Sequence, residues 1–409
     1  MADQENLLLK KCSNGFPVAE LTNAFVSFLF AASAPVAIIL SAGAKGGLSQ
    51  SDIASWIFAA FAINGVLTIA MSAIYRQPLA FFWTIPGTVL VASALQHLTF
   101  PEVIGAYFVT AALILALGLT GSVKIVMDRI PLPIVMGMVA GVFLGFGLDW
   151  IRSFGSDPWL TAAMTITFFV LSAFPSIQKR FPPMIGVLIA GVATLMIAGK
   201  TPSIEGITLA TAFARPQLYT PVFSWPAAFE LVLPLAITVV AVYTPQGVSL
   251  LRSAGHEPPV NAITNACGIF SALAACFGCV STCLTGPSSA ILASSEDKGR
   301  HWIAGICLGI LAILFGVFSP LVTRALLATP RAFVASLAGL ALLRILQSAF
   351  QTSFKQKFSL GALVAFLVTL GAPPLFGIGA PFWGIVFGLA TSVALERSDF
   401  RDSPPGPGR

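Results

Sequence analysis

The chain has 409 residues, of which 56% are hydrophobic and only 9% charged, with a mean hydropathy of +0.90. That composition belongs in a bilayer and excludes a water-soluble globular domain. Its net charge of +6 is scattered over short loops, as membrane topology requires, so it does not indicate nucleic acid.

Residues 1–21 read as a polar tail carrying Asp3 and Glu5, without the pattern of a cleavable signal peptide, so the first span itself should direct insertion. Apolar spans are expected at 22–43, 52–73, 102–120, 130–150, 159–175 and 183–198, with a strand and half-helix at 79–96. A more polar connector, 199–225, contains Pro202, Pro216 and Pro221. A second set follows at 226–250, 259–279, 301–318, 320–349, 359–373 and 379–395, with a strand and half-helix at 280–296. Arg324, Pro330, Arg331 and Arg344 interrupt the 320–349 stretch, which is expected to hold an amphipathic segment before the true span. The tail 396–409 ends in a Pro- and Gly-rich run expected to carry no chemistry.

The expected fold is therefore an all-α integral membrane protein of about 14 transmembrane segments, in a first repeat over 22–198 and a second over 226–395. An odd number of segments per repeat makes the second copy inverted. With both termini cytoplasmic, fifteen of the 22 basic residues fall inside and six outside, with Arg344 unassigned, as the positive-inside rule requires.

Two breaks organise the chain. Phe81 to Ser93 aligns without a gap on Thr282 to Ser294, placing Pro86 on Pro287, Thr88 on Ser289 and Leu90 on Ile291, at an offset of 201 residues. Extended backbone cannot face lipid with unpaired N–H and C=O groups, so each break must be buried in protein or line a cavity. A proline in the first turn of a helix loses no hydrogen bond, so half-helices should begin at Pro86 and Pro287. Their N-termini carry partial positive charge and free donors, which favours an anion. Both are expected to meet at mid-membrane, where a ligand would touch Gly87, Thr88, Ser288 and Ser289.

Other residues join the candidate site. Tyr243-Thr244-Pro245-Gln246-Gly247 is a polar, helix-breaking patch in an apolar run. It reads either as a proline kink satisfied locally by Thr244 or as a ligand wall in which Tyr243 and Gln246 offer hydrogen bonds. Phe81, Phe82 and Trp83, or Phe25, Phe28 and Phe30 on the first span, could receive an aromatic ring. Strand alternation puts Phe81 and Trp83 on one face. Cys276-x-x-Cys279 with Cys283 lacks a fourth metal ligand and reads as helix packing. Glu20, Glu102, Asp128, Asp149, Glu230 and Glu296 read as solvated groups near span ends, and His97, His256 and His301 as interfacial. No pairing suits an intramembrane enzyme, and no phosphate loop suits ATP drive. A channel would show neither saturation nor exchange.

Trp83-Thr84-Ile85-Pro86-Gly87, Pro245-Gln246-Gly247 with Arg252-Ser253-Ala254-Gly255 and Pro259-Val260-Asn261, Ala338 to Leu343, and Ala380-Pro381-Phe382-Trp383-Gly384 resemble the BenE family of benzoate:proton symporters. The resemblance runs across most of the chain. It implies the seven-plus-seven inverted fold shared with nucleobase transporters and with sulfate and bicarbonate carriers. A core domain (22–120 plus 226–318) and a gate domain (121–198 plus 319–395) follow from it, as does an aromatic carboxylate substrate. Nucleobase carriers resemble one another in having glutamates in the first and third elements of the second half. Here Leu233–Leu251 and Cys283–Ser295 contain no acidic residue, which favours an anion over a neutral base.

The resulting expectation is proton-coupled uptake of benzoate or a related aromatic carboxylate by alternating access, at a multi-pass bacterial inner-membrane protein; the alternative is a purine or pyrimidine base or an inorganic anion. The substrate site is expected from Ser33, Phe81, Trp83, Pro86, Gly87, Thr88, Tyr243, Gln246, Gly247, Thr285, Gly286, Ser288 and Ser289. No cofactor or metal is expected besides the proton, which could travel on the substrate's own carboxyl group. The partners expected are the substrate, the proton and the bilayer, and a homodimer by analogy with relatives of this fold.

Overall fold

The computed structural model describes residues 18–122, 131–174, 183–199, 212–295, 297–355, 357–371, 373, 375–376 and 378–401. Asp128, Glu296, Cys12 and most of both tails lie outside the described residues. In chain order the elements are α1 (Val18–Lys45), α2 (Gln50–Tyr75), β1 (Phe81–Trp83), α3 (Ile85–Ala94), α4 (Phe100–Thr120), α5 (Leu132–Ser156), α6 (Pro158–Ala173) and α7 (Pro183–Ile197). The second half follows as α8 (Trp225–Ser253), α9 (Val260–Ala275), β2 (Thr282–Leu284), α10 (Gly286–Leu292), α11 (His301–Val317), α12 (Ser319–Leu327), α13 (Arg331–Ser353), α14 (Ser359–Gly371), α15 (Ala380–Leu395) and a short α16 (Arg397–Arg401). Seven of these, α1, α2, α4, α5, α8, α11 and α13, are long and apolar enough to cross a membrane. The stretch expected to be interrupted divides at Pro330 into α12 and α13.

The helices pack in two groups. In one, α13 and α14 lie on α5, α14 on α15, and α7 on α6; in the other, α9 lies on α4 and α11 on α2 and α1. The α2–α11 crossing is close because a Cβ on Gly65 would stand 2.7 Å from the Gly309 carbonyl oxygen, and one on Gly309 2.6 Å from that of Gly65. Small residues allow such approach where lipid gives helices no hydrophobic reason to associate. Helix α1 touches both half-helices and also α13.

The two breaks form an antiparallel ladder, pairing Phe81 with Leu284, Phe82 with Cys283 and Trp83 with Thr282. Thr84 N donates to Ser281 O and Thr285 N to Ala80 O, extending the ladder at both ends. A two-stranded ladder still leaves outer edges, which apolar surroundings cannot satisfy. Thr68 on α2 closes one edge: its Oγ1 donates to Phe81 O (3.2 Å) and accepts from Phe81 N (2.9 Å). Ser271 on α9 serves the other strand with one bond, accepting from Thr282 N at 2.9 Å. Asn64 on α2 adds a crosslink, accepting from Thr282 Oγ1 at 2.8 Å. It sits just after a π-helical turn, 59–63, and α8 carries two such turns, 228–232 and 238–243. Each strand is thus held by a hydroxyl on the helix before it.

Long-range contacts define two faces. At one, Lys45 pairs with Asp149, Tyr219 Oη donates to Asp52, and Val222 N to Pro101 O. At the opposite face Gln77 donates to Glu257 O, Arg76 stacks on Trp302, and Arg300 pairs with Glu20.

Candidate functional site

In the first break the helix start is internally satisfied. Thr84 caps α3 by accepting from Gly87 N at 3.2 Å and donates to Thr238 Oγ1 at 3.0 Å, while Thr88 Oγ1 returns to Thr84 O. A Cβ on Gly87 would meet Thr84 Cγ2 at 2.4 Å and Leu235 Cδ2 at 2.8 Å, so the α3 start is wedged against α8.

The second break is not. No side chain caps α10, and Thr285 Oγ1 and Ser288 Oγ are buried without a hydrogen-bond partner. Ser289 Oγ is used, accepting from Ala80 N at 3.1 Å. Trp83 Nε1 and Ser281 Oγ on the ladder are also buried and unpartnered. Buried polar groups in native proteins are nearly always paired, so the free hydroxyls of Thr285 and Ser288 at the start of α10 are open to a ligand or water.

One turn of α8 joins the two breaks. The Tyr243 hydroxyl approaches the N–H of Ile85 at the start of α3. Gly247 lies against Leu284, where a Cβ would come within 2.5 Å of its Cδ2, and Gly286 lies 3.2 Å (as a built Cβ) from Gln246 Cγ. Gln246 is exposed, Ile85 and Pro287 are half-exposed, and Tyr243 and Thr285 are each 8% exposed, so this turn forms the accessible edge of the site. Thr244 Oγ1 donates to Val239 O at 2.8 Å, a local bond within α8 just before Pro245.

Four expectations change. The starts of α3 and α10 do not converge on one point, because they leave opposite ends of an antiparallel ladder, four residues or roughly 13 Å apart at ~3.3 Å per residue. Phe81 and Trp83, expected on one face, pack in different clusters, Phe81 with Tyr243 and Leu284 and Trp83 with Phe82 around Phe61. Glu20 and Glu230, expected to be solvated, are 4% and 1% exposed. Arg300 compensates the first, and His97 with the Gly379 amide the second. His256 and His301, expected at the interface, are also buried and lie Nε2 to Nδ1 at 2.9 Å.

The remaining sequence-derived residues are placed as follows. Pro86 is buried in the first turn of α3. Ser33 lies on α1, and its side chain is outside the described residues. Phe25 is exposed, while Phe28 meets Phe315 at 5.5 Å, and Phe315 meets Phe61 at 4.4 Å. Sequence reasoning missed Phe61, Phe315, Thr68 and Ser271. The last two carry a readable signal, since each is a hydroxyl in an apolar helix at nearly the repeat offset. Among the described residues no group of three or more His, Cys, Asp or Glu could hold a metal.

The chain is 31% identical over 386 residues to inner membrane protein YdcO of Escherichia coli, covering 93% of this chain and 96% of that one. It is 29% identical over 396 residues to the benzoate membrane transport protein of Acinetobacter baylyi, covering 95% and 98%. Its fold is similar to the transmembrane domain of the cyanobacterial bicarbonate transporter BicA (TM-score 0.61, 14% identity, 92% of this chain and 96% of that one). It is also similar to the murine anion transporter Slc26a9 in its inward-facing state (TM-score 0.65, 12% identity, 96% and 70%). The breaks, the α8 turn and the absence of site carboxylates all lie within residues 14–394, which match the model of the benzoate membrane transport protein family, BenE, and to that family the chain belongs.

Proposed function

We propose that this protein is a secondary active transporter that carries benzoate or a related aromatic carboxylate inward with a proton, by alternating access. The observation that carries the reading is the single turn of α8, Tyr243 to Gly247, bridging both half-helix starts beside unpartnered hydroxyls and without a carboxylate. Such a place attracts an anion and repels none. The relative named for benzoate supports the substrate class. Phe81, which packs with Tyr243 and Leu284, supplies an aromatic surface beside this turn that an inorganic anion would not need.

In this reading the segments number fourteen, the group of α5–α7 with α13–α15 is the gate, and the remainder is the core. The basic residues favour a cytoplasmic Arg76 face, cytoplasmic termini and an outer Lys45 face, in an inner membrane like that of the Escherichia coli relative. Two ties between the helix groups, Lys45–Asp149 and Glu230–Gly379, lie at that outer face, which supports an arrangement closed to the outside. Gate-to-gate pairing into a homodimer is the expected assembly. The proton travels on the substrate's own carboxyl group.

Thermal stabilisation of the purified protein by benzoate, ring-substituted benzoates, uracil, xanthine, sulfate and bicarbonate tests the substrate, since a ligand stabilises the state it binds. Benzoates alone should shift the melting temperature, more strongly at pH 5.5 than at pH 7.5. A second reading, an inorganic anion, draws on the fold neighbours that carry anions. A shift with sulfate or bicarbonate and none with benzoate would establish it instead.

A further inference from the structure

Glu230 lies in the first turns of α8, 1% exposed, on the outer side of the proposed topology. Its Oε2 stands 2.8 Å from His97 Nε2 and accepts from the backbone N–H of Gly379 at 2.7 Å. Its Oε1 is buried with no hydrogen-bond partner. Gly379 is the N-cap of α15, so the carboxylate ties the two helix groups together. The tie requires glycine, because a Cβ there would stand 2.2 Å from Glu230 Oε1. His97 belongs to neither helix; its side chain is 23% exposed, so the imidazole connects the buried carboxylate to outer water.

Few other ionisable groups face this pair. The elements packed on this turn of α8 are α3, α4, α15 and the flanking turns of α8 itself. Of these, α3, α15 and the flanking turns carry no ionisable side chain. Helix α4 presents Glu102, which is taken up in its own capping box with Thr99, and the Tyr107 hydroxyl, which is buried and unpartnered. The charged tie of Lys45 with Asp149 at the same face is a separate pair.

We propose that His97 and Glu230 form a proton-binding site at the outer face, and that a proton held there fastens α8 to α15 and so favours closure of that face. Without the added proton the pair is a neutral imidazole and a carboxylate, leaving one negative charge out of water with an unpaired oxygen, which is costly. A proton taken from outer water onto the imidazole, whether it stays on Nε2 or passes to Oε2, brings the pair to zero net charge. Opening the face hydrates the carboxylate and removes the need for the proton. The proton therefore binds more tightly to the closed arrangement, and by linkage it drives closure. This is a gating proton, distinct from one carried with the substrate, since its route through His97 leads only to the outer face. The proposal rests on the alternating-access reading above.

The test places spin labels at Phe229→Cys and Phe382→Cys, whose rings lie 6.3 Å apart on α8 and α15. The full-length protein is reconstituted in liposomes, internal pH is fixed, and the signal of the native cysteines is subtracted using unsubstituted protein. Dipolar broadening should increase as external pH falls from about 8 to about 5.5, by up to about tenfold in the closed-to-open ratio per pH unit, the limit for one proton. Glu230→Gln should lock the broadening high and flat, and Gly379→Ala, which displaces Oε1, should hold it low at every pH. A wild-type signal independent of external pH, or an unchanged titration in Glu230→Gln, overturns the site. Benzoate added at constant pH separates the two readings: a response to benzoate without one to pH leaves the transporter and removes the latch. A response to pH without one to benzoate keeps the latch and removes the substrate.

Discussion

The two breaks descend from one pattern and end in different chemical states. In the first, Thr84 caps α3, Thr88 bonds back to its own helix and Gly87 is wedged against Leu235. In the second, α10 has no side-chain cap, and Thr285 and Ser288 hold hydroxyls that nothing in the protein satisfies. The two segments share one sequence frame, and the satisfaction of hydrogen bonds at their helix starts distinguishes them: the start of α3 is paired within the protein, and that of α10 keeps two free hydroxyls.

The strongest way to break that comparison is at the contact between α8 and the second break. Gly247→Val should abolish uptake, by on the order of a hundredfold or more, because the branched side chain collides with Leu284 and pushes the α8 turn off α10. Gly145→Val, where a Cβ meets nothing within 4 Å, should leave uptake near wild type in the same assay. Equal losses in both would remove the α8 turn from the site.

Next in size are the hydroxyls that close the ladder. Thr68→Val leaves the Phe81 N–H and C=O without their partner and should cost roughly 2–3 kcal/mol of stability in detergent unfolding. Ser271→Ala frees only the Thr282 N–H and should cost about half as much.

A smaller but sharper contrast separates the half-helices themselves. Thr84→Val should lower stability by about 1–2 kcal/mol, the ordinary value of a lost cap, with little change in benzoate affinity. Ser288→Ala should do the reverse, sparing stability and weakening benzoate binding by about tenfold, or ~1.4 kcal/mol, in calorimetry. If Ser288→Ala destabilised the fold as much as Thr84→Val, the asymmetry would be lost.

The smallest effect lies away from both breaks. Burial, and then the neighbouring His301 and Lys298, push His256 down to about 4 from its ordinary value of 6.5. The unfolded chain therefore binds more protons than the folded one between these values, so stability is full above pH 6.5 and declines as pH falls toward 4. The melting temperature should drop over that window, and His256→Gln should flatten part of the slope without altering the benzoate response. A variant that changed the benzoate response would connect this pair to the site.

Much of the fold is legible in the chain, for a physical reason particular to membranes. Lipid demands apolar spans of fixed length and forbids unpaired backbone, so the spans and the Pro86 and Pro287 breaks stand out against a uniform background. The local chemistry of Tyr243 to Gly247 was readable for the same reason, and so was the absence of acids in Leu233–Leu251 and Cys283–Ser295. These features determined the membrane class and the two matching breaks.

Other properties were decided only in three dimensions. Glu230 looks like any acid near a span end, and its burial depends on His97, 133 residues away, and on Gly379, 149 residues away. The separation of the two half-helix starts depends on the antiparallel register of Phe81 with Leu284. Which hydroxyls are spent and which are free depends on what Thr68, Ser271 and Thr238 reach across the core. Hydropathy is a property of each segment and is written along the chain. Solvation and hydrogen-bond satisfaction belong to a whole neighbourhood, and that neighbourhood exists only once distant segments have packed.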